Sequence, residues 1–191
     1  MLNKILGFSV LSLFFASAYG EMNLKQNQDE ILSEKTEETH MSYVIEKQNE
    51  KFFVGLELRT NNQECSSTMP AHKERFFNED ILAKIPNKVG NALIALYTDY
   101  EGDYTKPYSW ILGCEVSSLD DVPAGLVAKV IPESKYAVFT THGEFPKGLI
   151  ETWQHIWNSG LCRSYTSDFE MYSADFNPKT NPEVKVYIAI D

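Results

Sequence analysis

Short runs of alternating hydrophobic and polar residues occupy most of the chain from residue 43 onward, and this period-two pattern predicts β-strands. The predicted strands are residues 43–48, 52–60, 91–100, 107–116, 125–131, 135–143, 167–174 and 184–190. Two further segments, residues 71–86 and 145–160, have hydrophobic side chains at helical spacing. Pro86 would end the first of these helices, and Gly160 suits the C-terminal cap of the second.

These elements follow the order strand pair, helix, strand pair, and the order then repeats. The segment Lys51-Phe52-Phe53-Val54 corresponds to Lys135-Tyr136-Ala137-Val138 in the second half. Each half must cover one sheet face with its helix, which predicts an α+β fold built from two duplicated units. The expected architecture is an antiparallel sheet with two helices.

The first residues have the layout of a secretory signal peptide. A single Lys4 precedes an apolar run over residues 5–15, and small residues follow at Ala16, Ala18 and Gly20. The apolar run is shorter than the ~20 residues that a bilayer-spanning helix needs. We therefore predict a cleavable signal peptide at residues 1–20 and a periplasmic or secreted protein without stable membrane insertion.

Residues 21–41 are polar and rich in acids, so they have little surface to bury and are predicted to form a flexible linker. The folded domain is then expected to span residues 42–191. The 191-residue chain has a formal net charge of −10, which argues against a nucleic-acid partner because phosphate contacts need clustered Lys and Arg.

Metal and cofactor chemistry finds little support in the sequence. The residues His142, His155 and Cys162 lack the compact spacing of a metal site, and no glycine-rich phosphate loop is present, so no cofactor is expected. The three cysteines are an odd number, which allows one disulfide and one free thiol without deciding the pair. Cys114, within a predicted strand, has the pattern of a small buried hydrophobic residue.

Glu170 is the most conspicuous candidate for function because it lies within an apolar strand pattern. Alternation places Asp168, Glu170 and Tyr172 on one strand face and Phe169 and Met171 on the other. Aromatic residues are abundant nearby in sequence, and a carboxylate among aromatic ring faces can hold an organic cation. The candidate ligand-binding residues are Glu170, Tyr97, Tyr100, Tyr108, Trp110, Trp153 and Tyr172. The alternative is that Glu170 is a surface acid and that about half of the aromatic residues belong to the core.

Several of these residues resemble the motifs of a known family. Matching segments are Tyr97-Thr98-Asp99-Tyr100-Glu101, Tyr108-x-Trp110-x-x-Gly113-Cys114-Glu115-Val116 and Asp168-Phe169-Glu170-x-Tyr172, together with Arg59 and Trp153. The chain resembles the GyrI-like or AraC-type effector-binding domains, including their integron-cassette members, over residues 42–191. The resemblance implies a GyrI-like (SOUL-like) fold with a central ligand cleft between helices and sheet. It also implies that Glu170 is the buried anchor for cationic compounds, that Trp153 belongs to the pocket and that Arg59 ties a strand end to nearby carboxylates.

Three functions remain open at this stage. The favoured one is an exported module that binds a small organic ligand, amphipathic or cationic. A second is a hydrolase of reactive small molecules that uses Glu170 as a general base, as the resemblance allows. The third is an acidic module that binds a protein partner.

Overall fold

The computed structural model describes residues 42–191, so the predicted signal peptide and linker lie outside the described residues. The strands are β1 (Tyr43–Gln48), β2 (Lys51–Thr60), β3 (Leu93–Thr98), β4 (Tyr108–Val116), β5 (Val127–Ile131), β6 (Ser134–Thr140), β7 (Ser167–Tyr172) and β8 (Lys185–Ile190). The helices within this part of the chain are α1 (Cys65–Asn78), α2 (Ile81–Lys84) and α3 (Lys147–Asn158). The predicted α+β class and the eight predicted strands are confirmed.

All eight strands form one antiparallel sheet in the order β1-β6-β8-β7-β3-β4-β2-β5. Strands β1 to β4 of the first half correspond to β5 to β8 of the second half. Exchanging each strand for its counterpart gives the same sheet order in reverse, so the sheet has pseudo-twofold symmetry. The pseudo-axis passes between β3 and β7, the central pair of strands. The first two strands of the first half, β1 and β2, do not pair with each other, and neither do β5 and β6, the first two strands of the second half. Instead β1 pairs with β6 and β2 pairs with β5, which interlocks the two halves.

The connections between these strands require the sheet to curl. Strands β5 and β6 lie six positions apart in the sheet order, a distance of ~29 Å in a flat sheet with strands ~4.8 Å apart. Only two residues join Ile131 to Ser134, which limits their Cα separation to ~11 Å. The two ends of the sheet must therefore approach one another.

The curled sheet encloses an apolar core on its inner face. Phe53 of β2, Ile131 of β5 and Tyr136 of β6 belong to one buried cluster, although these strands lie at opposite ends of the sheet order. Phe169 and Met171 of β7 pack on this cluster, as alternation predicted. The outer face of the sheet is covered by the helices, with α1 over β3 and β4 and α3 over β6 and β8.

Helix α1 begins earlier than predicted, at Cys65 rather than at residue 71. The Asn61 Oδ1 atom accepts the backbone N–H groups of residues 63 and 64 at 2.9 and 3.0 Å, which stabilises the turn that leads into the helix. Pro70 would have suited a helix start, but it lies inside α1, where it lacks one intrahelical hydrogen bond.

The prediction of one helix up to Pro86 was also wrong. Asp80 adopts a left-handed backbone conformation with φ of 48°, and this residue separates α1 from the short helix α2. Ile85, which precedes Pro86, is extended, as the residue before a proline prefers.

The three cysteines are all free, so the disulfide that their number allowed is not formed. Cys65 and Cys114 are buried, and burial raises the pKa of each thiol to about 11. Cys114 is therefore the small buried hydrophobic residue that its strand pattern predicted. Between residues 42 and 191, no helix has both the length and the apolar character needed to cross a bilayer.

Candidate functional site

A cleft lies between α1 and α3, above the central strands of the sheet. Met69 and Lys73 contribute to it from α1, and Ile150, Trp153 and Trp157 contribute from α3. The floor comes from β3, β4 and β7, where alternation directs every second side chain toward the helices. The site therefore lies beside the pseudo-twofold axis, at the junction of the two halves.

Glu170 lies at the centre of this cleft and is only 4% exposed. Its Oε1 atom accepts hydrogen bonds from the Tyr97 hydroxyl at 2.8 Å and from the Trp153 indole Nε1 at 2.7 Å. Its Oε2 atom accepts the Tyr172 hydroxyl at 2.5 Å. Three donors that carry no formal charge thus satisfy the carboxylate, which offsets much of the cost of burying it.

Aromatic rings surround the carboxylate on the β3, β4 and α3 sides. The Tyr97 ring centroid lies 5.1 Å from that of Trp153 and 5.6 Å from that of Tyr108. Tyr100 continues the set at 5.5 Å from Tyr108. These separations are those of favourable aromatic pairs, and they hold the rings in fixed orientations.

The mouth of the cleft has an aromatic pair of its own. Tyr104, from the loop between β3 and β4, stacks on Trp157 with a centroid distance of 5.9 Å and an interplanar angle of 13°. Tyr104 is not among the candidate residues chosen from the sequence, because nothing in a turn-rich segment indicates which way a side chain points. The structure shows that this loop folds over the cleft.

A buried ion pair supports the floor of the cleft. Asp168 is fully buried, and its Oδ2 accepts Arg163 Nη2 at 2.6 Å and the Tyr100 hydroxyl at 2.8 Å. The Ala189 backbone N–H donates to Oδ1 at 2.8 Å. Burial, with the adjacent Asp168 carboxylate, raises the pKa of Tyr100 well above its ordinary value, so this hydroxyl remains a donor.

Lys73 is the cationic residue of the α1 wall, and sequence reasoning missed it. Its Nζ lies 5.3 Å from the centroid of the Trp110 ring, within the range of a cation–π contact. Burial lowers the pKa of Lys73, and the nearby Glu170 carboxylate opposes that decrease. The missed signal was the stripe Met69, Lys73, Phe77 on one helix face, of which the predicted helix contains only Lys73 and Phe77.

Two cavities open on this cleft. The first, next to Glu170, has a volume of about 30 Å³, room for about one water molecule. The second, which we call the side cavity, has a volume of about 220 Å³ and an apolar lining. Its wall consists mainly of Phe77, Leu82, Leu93, Leu112, Phe145, Tyr172 and Phe176. Lys73 and Trp110 line both cavities, so these two residues form the partition between them.

The structure brings together the seven candidate residues chosen from the sequence. Six of them line the small cavity, and Tyr172 lines the side cavity while donating to Glu170. Their roles as ligand contacts stay a prediction. The expected role of Arg59 is seen, since its Nη2 atom binds Glu101 at 2.5 Å and its Nη1 atom donates to the Asp99 carbonyl at 2.7 Å. No cluster of His, Cys, Asp and Glu within residues 42–191 could hold a metal ion.

Comparison with known families agrees with this geometry. The Cass2 family model, described as integron-associated effector binding protein, matches residues 44–190. The chain belongs to this family. The resemblance to GyrI-like effector-binding domains is thereby confirmed, and the family indicates that the domain binds a small-molecule effector.

Individual relatives cover most of the domain. YobU of Bacillus subtilis (strain 168), named as a transcriptional regulator protein, is 31% identical over 148 residues, which are 73% of this chain and 92% of YobU. The integron cassette protein VCH_CASS2 from Vibrio cholerae has a TM-score of 0.60 and 28% identity, covering 78% of this chain and 96% of its own. SAV2435, whose structure was solved with bound tetraphenylphosphonium, has a TM-score of 0.66, covering 79% of this chain and 94% of its own. Its identity is 15%, so this likeness shows the fold alone.

Proposed function

We propose that this protein is an exported small-molecule-binding module that recognises amphipathic or cationic organic compounds, with Glu170 as the anionic anchor of an aromatic cleft. The observation that carries the proposal is the environment of the Glu170 carboxylate. It is buried among aromatic rings and accepts three hydrogen bonds from donors without formal charge. Such donors hold a carboxylate in place and leave its negative charge in the cleft.

The cations of the described part of the chain leave that charge without a direct ion-pair partner. Arg163 pairs with Asp168 instead, and none of the ion pairs within 4.0 Å among residues 42–191 includes Glu170. A ligand cation beside Glu170 would gain both the carboxylate and the negative faces of the surrounding rings. SAV2435, which shares the fold, binds the organic cation tetraphenylphosphonium, and this supports the same ligand class here.

The size of the small cavity requires movement when a ligand enters. About 30 Å³ cannot hold an organic cation, so aromatic side chains at the mouth must move. Tyr104 is on a loop and Trp157 is in the last turn of α3, so these two are the residues best placed to open the cleft. The apolar part of the ligand can then occupy the side cavity, which is already open.

Export is the second part of the proposal, and the sequence of residues 1–20 supports it. A basic residue, an apolar run and small residues near Gly20 form the pattern that signal peptidases recognise. A ligand-binding domain outside the cytoplasm would meet compounds before they enter the cell. This proposal places the protein in the periplasm or the medium.

Calorimetric titration of matched ligands tests the anchor. Benzyltrimethylammonium and its neutral carbon isostere neopentylbenzene share one shape and differ in charge. We expect Glu170→Gln to weaken the ammonium ligand by ~1.5–3 kcal/mol, within the ~1–4 kcal/mol of Coulomb energy between two unit charges ~4 Å apart, and to affect the neutral ligand far less. Glu151→Gln, a change at a half-exposed acid on α3, serves as the control. Equal losses for both ligands in Glu170→Gln would refute the anchor, and turnover abolished by this change would favour the hydrolase.

A further inference from the structure

The partition between the two cavities carries a second recognition feature. Lys73 and Trp110 line both the Glu170 pocket and the side cavity, so any ligand that extends from one to the other must pass them. Trp110 is 1% exposed, and its ring face lies against the Lys73 ammonium. The partition therefore combines a cation over the ring face with a buried indole N–H.

The Trp110 indole Nε1 is buried and has no hydrogen-bond partner. Arg163, which lines the small cavity, likewise has buried Nε and Nη1 atoms without a partner. These atoms are donors, whereas both oxygens of Glu170 already accept hydrogen bonds. Buried donors without an acceptor are rare in folded proteins because each forfeits its bonds to water. Besides a cation for Glu170, the site thus has room for a hydrogen-bond acceptor at these donors.

The charge of the side cavity points the same way. Among the described residues that line it, Lys73 is the one with a basic side chain, and the others are apolar or neutral. Burial lowers the pKa of Lys73, which means that the apolar surroundings penalise its charged form. An anion bound beside Lys73 would further favour its charged form, as the nearby Glu170 carboxylate already does. An apolar chamber with one ammonium on its wall matches an apolar body that carries an oxyanion.

We propose that the partition of Lys73 and Trp110 is a subsite for a carboxylate or similar oxyanion of the ligand, whose apolar body lies in the side cavity. The inference rests on the proposed function in using the same cleft. With a cation at Glu170 and an oxyanion at Lys73, the ligand class becomes amphipathic zwitterions. A simple hydrophobic cation would satisfy Glu170 and leave the Trp110 donor unpaired.

A series of phenylalkylamines tests the subsite by calorimetry on the mature protein. Each amine is compared with derivatives that carry a carboxylate at increasing distances from the nitrogen. We expect at least one derivative to bind about tenfold more tightly than its parent amine, a gain of ~1.4 kcal/mol. Lys73→Met keeps most of the side-chain length without the charge. In this variant the carboxylated derivative should bind no more tightly than its parent amine. Trp110→Phe keeps a ring without the N–H and should reduce the gain.

Two control variants separate this inference from the proposed function. Lys84→Met removes a half-exposed lysine outside both cavities and should leave the gain intact. Glu170→Gln should weaken the binding of the parent amine and of its derivatives by the same factor, so the ratio of their dissociation constants should not change. A parent amine that binds as tightly as every carboxylated derivative would refute the subsite, as would an undiminished gain in Lys73→Met with an unchanged melting temperature. Phenylalkyl carboxylates that bind in a Lys73-dependent way, with no binding of amines, would uphold the subsite and refute the cation at Glu170.

Discussion

The indole of Trp153 on α3 donates to the Glu170 carboxylate on β7 at 2.7 Å, so one hydrogen bond joins the helix to the centre of the sheet. Both residues are at least nine-tenths buried, and the bond is charge-assisted. The same oxygen accepts the Tyr97 hydroxyl from β3. Glu170 therefore connects the two halves of the molecule where they meet, so the role we propose for it in ligand recognition cannot be separated from its role in packing.

Trp153→Phe should destabilise the protein because it keeps a ring and removes the N–H donor. Glu170 would then lose one of its three hydrogen bonds while remaining buried. We expect the free energy of unfolding in urea to fall by ~1–3 kcal/mol. Trp157→Phe, the same change one turn further along α3, is the control because its indole does not donate to Glu170. Similar losses for both variants would show that ring packing, and not the bond to Glu170, accounts for the effect.

The buried pair Arg163–Asp168 should be sensitive to removal of one partner. Both side chains are nearly inaccessible, and Arg163→Met would leave the Asp168 charge in the interior. We expect Arg163→Met to lower the free energy of unfolding by ~3–5 kcal/mol.

The double variant Arg163→Met with Asp168→Asn checks this explanation. It removes the uncompensated charge and should recover part of the lost stability. The surface ion pair Arg59–Glu101 provides the comparison, since Arg59→Met should cost ~0–1 kcal/mol. A loss at Arg163 as small as that at Arg59 would contradict the assigned importance of burial.

The strands could be predicted because successive side chains of a strand point in turn to the core and to the helix layer. This produces a period-two pattern in the sequence. The order of the strands in the sheet could not be predicted, because the pairing of β1 with β6 depends on contacts between residues about 90 positions apart in sequence. The start of α1 was missed for a local reason. Asn61 supplies the turn, and Pro70 favours a helix start over the interior position that it occupies in α1.

The site shows the same division between local and distant information. Alternation placed Glu170 and Tyr172 on one strand face, and the family motifs indicated Glu170 as the candidate ligand anchor. Arg163 could not be found in this way because it lies in a connecting segment, where no periodicity shows which way a side chain points. Lys73 required the correct helix boundary. Periodicity therefore places side chains on helices and strands, whereas Tyr100, which lies beyond the end of β3, was selected by a family motif.

His72 should make stability depend on pH. Burial lowers its pKa below the ordinary value of 6.5, and its Nε2 atom lies 3.0 Å from the Leu56 carbonyl, so the neutral ring donates that hydrogen bond. The unfolded chain takes up the proton first as pH falls below ~6.5. The stability contributed by the neutral ring is thus present above that pH and is lost as pH falls toward the folded-state pKa, by ~1.4 kcal/mol for each unit of depression.

Urea unfolding at about pH 7.5 and about pH 5 measures this effect. We expect His72→Gln to lose less stability between these two conditions than the unchanged protein does. His142→Gln alters an exposed histidine and should leave the difference as it was. An unchanged pH dependence in His72→Gln would assign it to the carboxylates instead.

The predicted signal peptide should be removed on export. The small residues around Ala18 and Gly20 predict a mature chain that begins at Tyr19 or Glu21. N-terminal sequencing of protein from the periplasm or medium measures this directly. A chain that still begins at Met1 and stays in the cytoplasm would contradict the proposed location.

Residues 21–41 should be dispensable for folding of the domain. Their composition offers few apolar side chains to bury, so removing them should change the free energy of unfolding by less than ~1 kcal/mol, the range of ordinary surface changes. The measurement compares urea unfolding of chains that begin at Glu21 and at Ser42. Calorimetry with benzyltrimethylammonium on the same two proteins adds a second readout, and the affinities should agree. A large loss of stability in the shorter chain would show that the segment packs on the domain, and a change in affinity alone would show that it takes part in the cleft.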